Sequence, residues 1–233
     1  MTTQNQTITK IADTFSINAI YARRLFHTAS KEHMFEDIEK LLEEKPKPFV
    51  KWVGGKRQLL KQFRDLGLYP PEDFDPVTNT YFEPFVGGGA VFFDLLPETA
   101  YLSDLNNELV VTYNVIKNDV ENLIKSLKKH KLDKEYFLKI RAQNPEKLSY
   151  LNTASRSIYL NRTCFNGMYR VNSKGGFNVP FGKYTNPLIC DEGNLRKASK
   201  ALKNVEIKKQ DYKEVLKRQT KEILFILIRH IIQ

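Results

Sequence analysis

Three groups of residues have types and spacings suited to chemistry. The first is Phe85-Val86-Gly87-Gly88-Gly89, contiguous glycines between an apolar run and a helix-like segment. Without a Cβ, such a loop lets backbone approach a ligand closely. Asp104 follows at the end of the next apolar run, near the spacing of about 20 residues at which a carboxylate accepts both hydroxyls of a ribose. Each feature has a structural alternative: tight turns use glycine for their own sake, and Asp104 also suits an N-cap. The second group is Lys51-Trp52-Val53-Gly54-Gly55-Lys56, which holds the single tryptophan. Trp52 can cover an adenine and Lys56 can hold a carboxylate, although a Trp beside Gly-Gly also serves as a core residue at a turn. The third group, residues 161–184, sets Arg162, Arg170, Lys174 and Lys183 among Asn166, Asn172 and Asn178, with Phe165, Tyr169 and Tyr184 interleaved. Guanidinium groups bind phosphate or read guanine, asparagine amides suit adenine edges, and an aromatic ring can fill the gap left by a flipped base. A solvated basic hairpin with aromatics folded into its base would look similar.

The elements that must carry these groups follow from the pattern. Tyr81 to Phe85 reads as a short buried strand, Ala90 to Leu96 as a helix, Tyr101 to Asp104 as a second strand and Asn107 to Lys117 as a second helix. Strand, glycine turn, helix, strand and helix predict a parallel α/β sheet. Residues 119–160 read as mostly helical, 161–190 as loops with a hairpin, and Val205 to Lys208 as a strand returning to the sheet. Upstream, Ile8, Ile11 and Ala12 have helical spacing. A break at Phe15-Ser16-Ile17-Asn18 and a resumption at Ala19 to Phe26 resemble a helix-turn-helix, with a plain helical hairpin as the alternative. A third helix is expected over Glu32 to Glu44, ended by the Lys45-Pro46-Lys47-Pro48 linker. This divides the chain into a helical appendage at 1–47, a partial catalytic-type domain at 48–118 and 201–233, and a target-recognition region at 119–200.

Bulk properties narrow the class. The 233 residues are 41% apolar and carry a net charge of +10, which favours polyanionic partners. The two cysteines, Cys164 and Cys190, lack metal-type spacing and suggest a reducing compartment. The polar start and the absence of a membrane-length apolar run predict a soluble cytoplasmic protein, with no metal site and no membrane partner.

Four segments occur in a set order: Lys51 to Leu60 (KWVGGKRQLL), Tyr81 to Phe93 (YFEPFVGGGAVFF), Ser103 to Lys117 (SDLNNELVVTYNVIK) and Asn161 to Tyr184 (NRTCFNGMYRVNSKGGFNVPFGKY). Together, over residues 48 to about 215, they resemble the Dam-type adenine-specific DNA methyltransferases, especially the branch of restriction-modification systems and phages. The resemblance implies a Rossmann-like S-adenosylmethionine-dependent methyltransferase fold with a helical and hairpin target-recognition insertion. It implies that Trp52, Lys56 and Asp104 contact S-adenosylmethionine, with Phe85 and Gly87 shaping the loop. It further implies that Arg170 reads a guanine, that Phe165, Asn166 and Met168 press into the duplex, and that Pro180 and Tyr184 line further base contacts. Arg162 and Asn172 complete the expected DNA-binding set. Double-stranded DNA, with GATC as the expected target, is the implied substrate, and a cognate restriction endonuclease is the implied functional partner.

The resembling family methylates adenine through Asp-Pro-Pro-Tyr: the Asp and a proline carbonyl accept the amine hydrogens while the Tyr stacks on the flipped base. That motif is expected after Val205 and Asp211 and is absent from the 233 residues, so no catalytic residue is assigned. Codons allowed for Ile223 to Gln233, regrouped one base earlier, spell Asp-Phe-Ile-Tyr-Phe-Asp-Pro-Pro-Tyr-His-Pro. Ile228-Arg229-His230-Ile231 meets every constraint this imposes. The expectation is a single-base frameshift upstream of Lys221, an incomplete sheet lacking its fourth and later strands with a bare edge, and an apolar tail that leaves the polypeptide poorly soluble and nearly inactive. A non-catalytic DNA-binding protein using a helix-turn-helix at residues 7–28 is the alternative. A nicotinamide enzyme fits poorly, because its glycines are spaced rather than contiguous.

Overall fold

The computed structural model describes residues 3–15, 19–30, 32–43, 45–52, 56–66, 69, 74–217 and 223–225. The expected turn at Ser16 to Asn18, the Val53-Gly54-Gly55 step and the tail after Phe225 lie outside these residues. Helices α1 (Thr3–Phe15), α2 (Ala19–Thr28) and α3 (Met34–Glu43) form the amino-terminal part, followed by α4 (Arg57–Asp65). Ile8 and Ile11 of α1, Ala22 and Leu25 of α2 and Ile38 of α3 are buried, as apolar faces at helical spacing require.

Next come β1 (Thr80–Glu83), α5 (Phe92–Leu95), β2 (Thr99–Asp104), α6 (Asn107–Leu127), α7 (Lys134–Ala142), α8 (Tyr150–Thr163), α9 (Glu192–Ala201), β3 (Val205–Lys209), α10 (Tyr212–Leu216) and β4 (Ile223–Phe225). The sheet runs β3-β2-β1-β4 and every pairing is parallel. The chain thus has the parallel α/β arrangement expected of a Rossmann-like fold. The expectation that a fourth strand is missing is corrected. Ile223 to Phe225 pairs in parallel with Thr80 to Phe82, because an apolar segment can extend β1's ladder wherever backbone groups are unpaired.

Strand β1 ends two residues earlier than expected, since Pro84 has no N–H to donate. Helix α5 is one turn and closes on Leu96 in the left-handed region at φ 49°. The helix expected to end at Lys117 instead runs on to Leu127, with a kink at Asp119, which has φ −147° and ψ 43°. Caps were written locally: Asn106, Asp133, Ser149, Asp191 and Asp211 each accept a backbone N–H of the helix they start.

The main core joins the sheet to α6, α8 and α9. Phe49, just past the linker, packs its ring edge-on against both Phe93 and Tyr113. A second cluster, built on Phe137, Tyr159, Leu160, Cys164, Phe177 and Val179, lies beneath the 161–184 segment. That segment is the expected hairpin, with antiparallel bridges Cys164–Phe181 and Val171–Phe177. Among the described residues, no helix is long and apolar enough to cross a membrane.

Candidate functional site

The glycine loop leaves the carboxyl end of β1 and is held from two sides. Gly87 N–H donates to Asp104 Oδ2 at 3.1 Å, and the Tyr113 hydroxyl donates to the Gly87 carbonyl at 3.0 Å. Gly87 has φ +50°, and a Cβ there would lie 2.9 Å from Cδ1 of Trp52. A Cβ on Gly88 would meet Trp52 Cβ at 3.3 Å. At Gly87 glycine is therefore required by both conformation and contact, while at Gly88 a side chain would only crowd Trp52. Asp104 ends β2, at the sheet edge where parallel α/β proteins gather ligands. Its Oδ1 accepts from Asn106 N–H at 2.9 Å, but Asn106 itself caps α6. Asp104 thus ties the loop to the start of α6 rather than capping the helix.

Lys56 is buried and its ammonium donates to Glu83 Oε1 at 2.8 Å and to the Phe85 carbonyl. Two of its three donors are committed to the protein. Burial raises the Glu83 carboxyl above its ordinary value, opposed by the Lys56 ammonium and by the Tyr81 hydroxyl, which donates to Oε2. Phe85, half-buried, sets its ring 5.5 Å from that of Tyr212 on α10.

Trp52 lies between the loop and the hairpin. Its ring stacks on Tyr169 with centroids 5.3 Å apart and an interplanar angle of 22°. The Tyr169 hydroxyl donates to Glu108 Oε1 at 3.1 Å, and burial together with the Glu108 carboxylate pushes this phenol up to about 12. Glu108 is in turn paired with Arg156, whose Nη1 donates to Oε2 at 2.7 Å, while Ser157 Oγ donates to the same oxygen at 3.2 Å. A cavity of about 20 Å³ beside them is lined by Trp52, Glu108, Leu109, Asn161 and Tyr169, among others. A larger hollow of about 650 Å³ opens between the linker, α4 and α9 and contains none of the expected site residues.

Asn161 clasps the Lys51 segment with both edges of its amide. Oδ1 accepts from Lys51 N–H at 2.8 Å, and Nδ2 donates to the Lys51 carbonyl at 2.7 Å and the Gly167 carbonyl at 2.9 Å. Lys51 Nζ reaches Tyr184, 4.9 Å above its ring and 3.3 Å from its hydroxyl. Phe165 is exposed at 49%, next to Asn166 at φ 52°, and Phe165 N–H donates to the Pro180 carbonyl. Met168 is half-buried against the second cluster. Arg170 is exposed and braced by Asn178, with Nε donating to Oδ1 at 2.7 Å. Asn172 holds the hairpin turn, its Oδ1 accepting from Lys174 and Gly176 N–H. Arg162 points inward: Nη2 donates to the Phe49 carbonyl at 2.8 Å, Nε is buried without a hydrogen-bond partner, and burial lowers its pKa.

The structure thus brings Trp52, Gly87 and Asp104 together, sets Lys56 and Phe85 behind the loop, and places Phe165, Arg170, Pro180 and Tyr184 along the hairpin. Sequence reasoning overlooked the parts played by Tyr113, Glu108, Arg156 and Asn161. The burial of Glu108 and its pairing with Arg156 are visible only in the packed structure.

The glycine cradle and the carboxylate at the strand end fit a nucleoside-bearing ligand, since both carboxylate oxygens retain acceptor capacity beside their backbone bonds. The sequence model of the D12 class N6 adenine-specific DNA methyltransferases matches residues 52–226. The type II methyltransferase M.MjaIII of Methanocaldococcus jannaschii is 44% identical over 185 residues, covering 72% of this chain and 63% of that protein. M1.LlaDCHI of Lactococcus lactis subsp. cremoris is 44% identical over 168 residues, covering 70% and 57%. A DNA adenine methylase of Vibrio cholerae is 37% identical over 153 residues, covering 64% and 52%. The chain therefore spans between half and two thirds of the length of these relatives. From the family match over residues 52–226 and the similarity to these relatives, this chain belongs to the D12 class of N6 adenine-specific DNA methyltransferases.

Proposed function

We propose that this chain provides the S-adenosylmethionine pocket and the DNA-reading hairpin of a site-specific adenine methyltransferase acting on double-stranded DNA. The observation that carries the reading is Asp104, held at the carboxyl end of β2 by Gly87 N–H with the Trp52 ring over the same glycine. In this reading the Asp104 carboxylate accepts the ribose hydroxyls, Trp52 forms an apolar wall, and Gly87 and Phe85 set the loop. Lys56 uses its remaining donor on the ligand's carboxylate. The bound cofactor supplies a methyl group on a sulfonium, ready for in-line transfer to the exocyclic amine of adenine.

On the DNA side, Arg170 reads guanine, and Phe165, Asn166 and Met168 enter the duplex beside the flipped base. Pro180 and Tyr184 line the bases. Asn172 and Arg162 serve by shaping the hairpin and anchoring it to Phe49. The target is GATC, the compartment the cytoplasm, and a restriction endonuclease the functional partner. Residues 1–47 form an appendage, 48–118 with 201–233 the cofactor-binding part, and 119–200 the target-recognition part. No residue of the chain is assigned the removal of the amine protons.

Calorimetry with S-adenosylhomocysteine tests the pocket. The full chain should bind it, and Asp104→Ala should weaken binding at least about tenfold, the loss of one or more charge-assisted hydrogen bonds. Equal affinity in both proteins would remove Asp104 from the site.

A further inference from the structure

Tyr169 is used by neither half of the reading above, yet it touches both. Its neighbour Arg170 is exposed on the hairpin, while its own ring lies against Trp52. Successive residues of an extended segment face opposite ways, so one step along the chain separates the DNA-facing surface from the cofactor wall. We propose that Tyr169 is a positioning residue that couples seating of the hairpin on DNA to the cofactor pocket. The proposal rests on the function proposed above.

Two arms leave this one side chain. The ring arm runs through Trp52 to Gly87, where the indole lies so close that a Cβ would stand 2.9 Å from Cδ1. The hydroxyl arm runs to Glu108 Oε1 in the first turn of α6. That turn begins at Asn106, whose N–H is held by Asp104 Oδ1. Both arms therefore end on residues assigned to the ribose and the loop. At the other end, Tyr169 is tied to the hairpin by its edge contact with Phe177, at 5.8 Å between centroids, and Phe177 is bridged to Val171. Glu108 cannot yield easily, because it is buried and paired with the buried Arg156. A shift of the hairpin must therefore displace the Trp52 stack or the start of α6, and coupling between two sites is reciprocal by thermodynamic necessity.

The test uses the full chain, S-adenosylhomocysteine and a short duplex containing GATC. Its readout is the ratio of S-adenosylhomocysteine dissociation constants without and with saturating duplex, checked by emission of Trp52, the only tryptophan. The unmodified chain should give a ratio about fivefold or more away from one. Tyr169→Phe keeps the ring arm and loses the hydroxyl arm, and should bring that ratio at least twofold closer to one. Tyr169→Ala should bring it near one and abolish the duplex-dependent change in emission. An anchor that only held the hairpin would weaken duplex binding and leave the ratio intact. A full ratio in Tyr169→Phe, or in a folded Tyr169→Ala, overturns the proposal. A ratio of one in the unmodified chain overturns it while leaving the cofactor pocket standing. No uptake of S-adenosylhomocysteine at all sinks the pocket and the coupling together.

Discussion

Removing Arg156 offers the most direct test of how the site is held. Its side chain is 2% exposed, and all three of its nitrogen positions are used: Nη1 on Glu108, Nε on the Ile140 carbonyl at 3.1 Å and Nη2 on the Arg141 carbonyl at 3.0 Å. Arg156→Ala leaves the Glu108 carboxylate buried without its cation, which costs about 3–5 kcal/mol. The Arg141 carbonyl loses this donor and the Ile140 carbonyl keeps only the Gln143 N–H, each lost bond worth about 1 kcal/mol if water fills the space. The expected loss is therefore about 4 kcal/mol or more, a large share of the 5–15 kcal/mol typical of a whole domain's stability. Urea denaturation followed by circular dichroism measures it. The double replacement Arg156→Met with Glu108→Gln removes both charges and keeps an acceptor for Tyr169. It should be less damaging than Arg156→Ala by at least about 1 kcal/mol. A loss below about 1 kcal/mol for Arg156→Ala would refute the reasoning, since it would mean the carboxylate is solvated or protonated without its partner.

Three further outcomes are expected. Gly87→Ala forces a non-glycine residue into the left-handed region, at about 1–2 kcal/mol, and drives its Cβ against Trp52; thermal melting should fall and the Trp52 emission should shift, whereas unchanged emission would show that the indole does not sit on this glycine. Burial lowers His130 to about 4 from its ordinary 6.5, so the unfolded chain binds the extra proton first. Its contribution is complete above about pH 6.5 and is lost as pH falls through 4, about 1–2 kcal/mol after solvent screening, and the loss between pH 7 and 4.5 should be smaller in His130→Gln; identical slopes would exclude this histidine. Arg170→Ala should cost about 1–3 kcal/mol of discrimination at one guanine, measured by competition between duplexes, and uniform weakening across all sequences would assign Arg170 to phosphate instead.

Much of the site was legible because its signals are local. Contiguous glycines after one apolar run and an aspartate closing the next define a loop and an acid without reference to distant residues. The caps at Asn106, Asp133, Ser149, Asp191 and Asp211 are likewise written within three residues of the groups they satisfy. The hairpin, too, is marked by its own composition of Asn, Gly, Pro and Arg.

Other features required the chain to fold back on itself. Asn161 clasps Lys51 across 110 positions, and Asn194 holds Lys47 in the same two-edged way across 147. Lys56 reads as an available cation in sequence and is found on Glu83; Arg162 reads as a DNA contact and is found on the Phe49 carbonyl. Strand β4 joins the sheet although its segment was expected to leave an edge bare. Residue type and near-neighbour spacing determine which loops, caps and turns can form, since those interactions are satisfied within a few residues. Which charge meets which carboxylate is decided only in the packed molecule, because a buried polar group must take whatever partner packing brings to it.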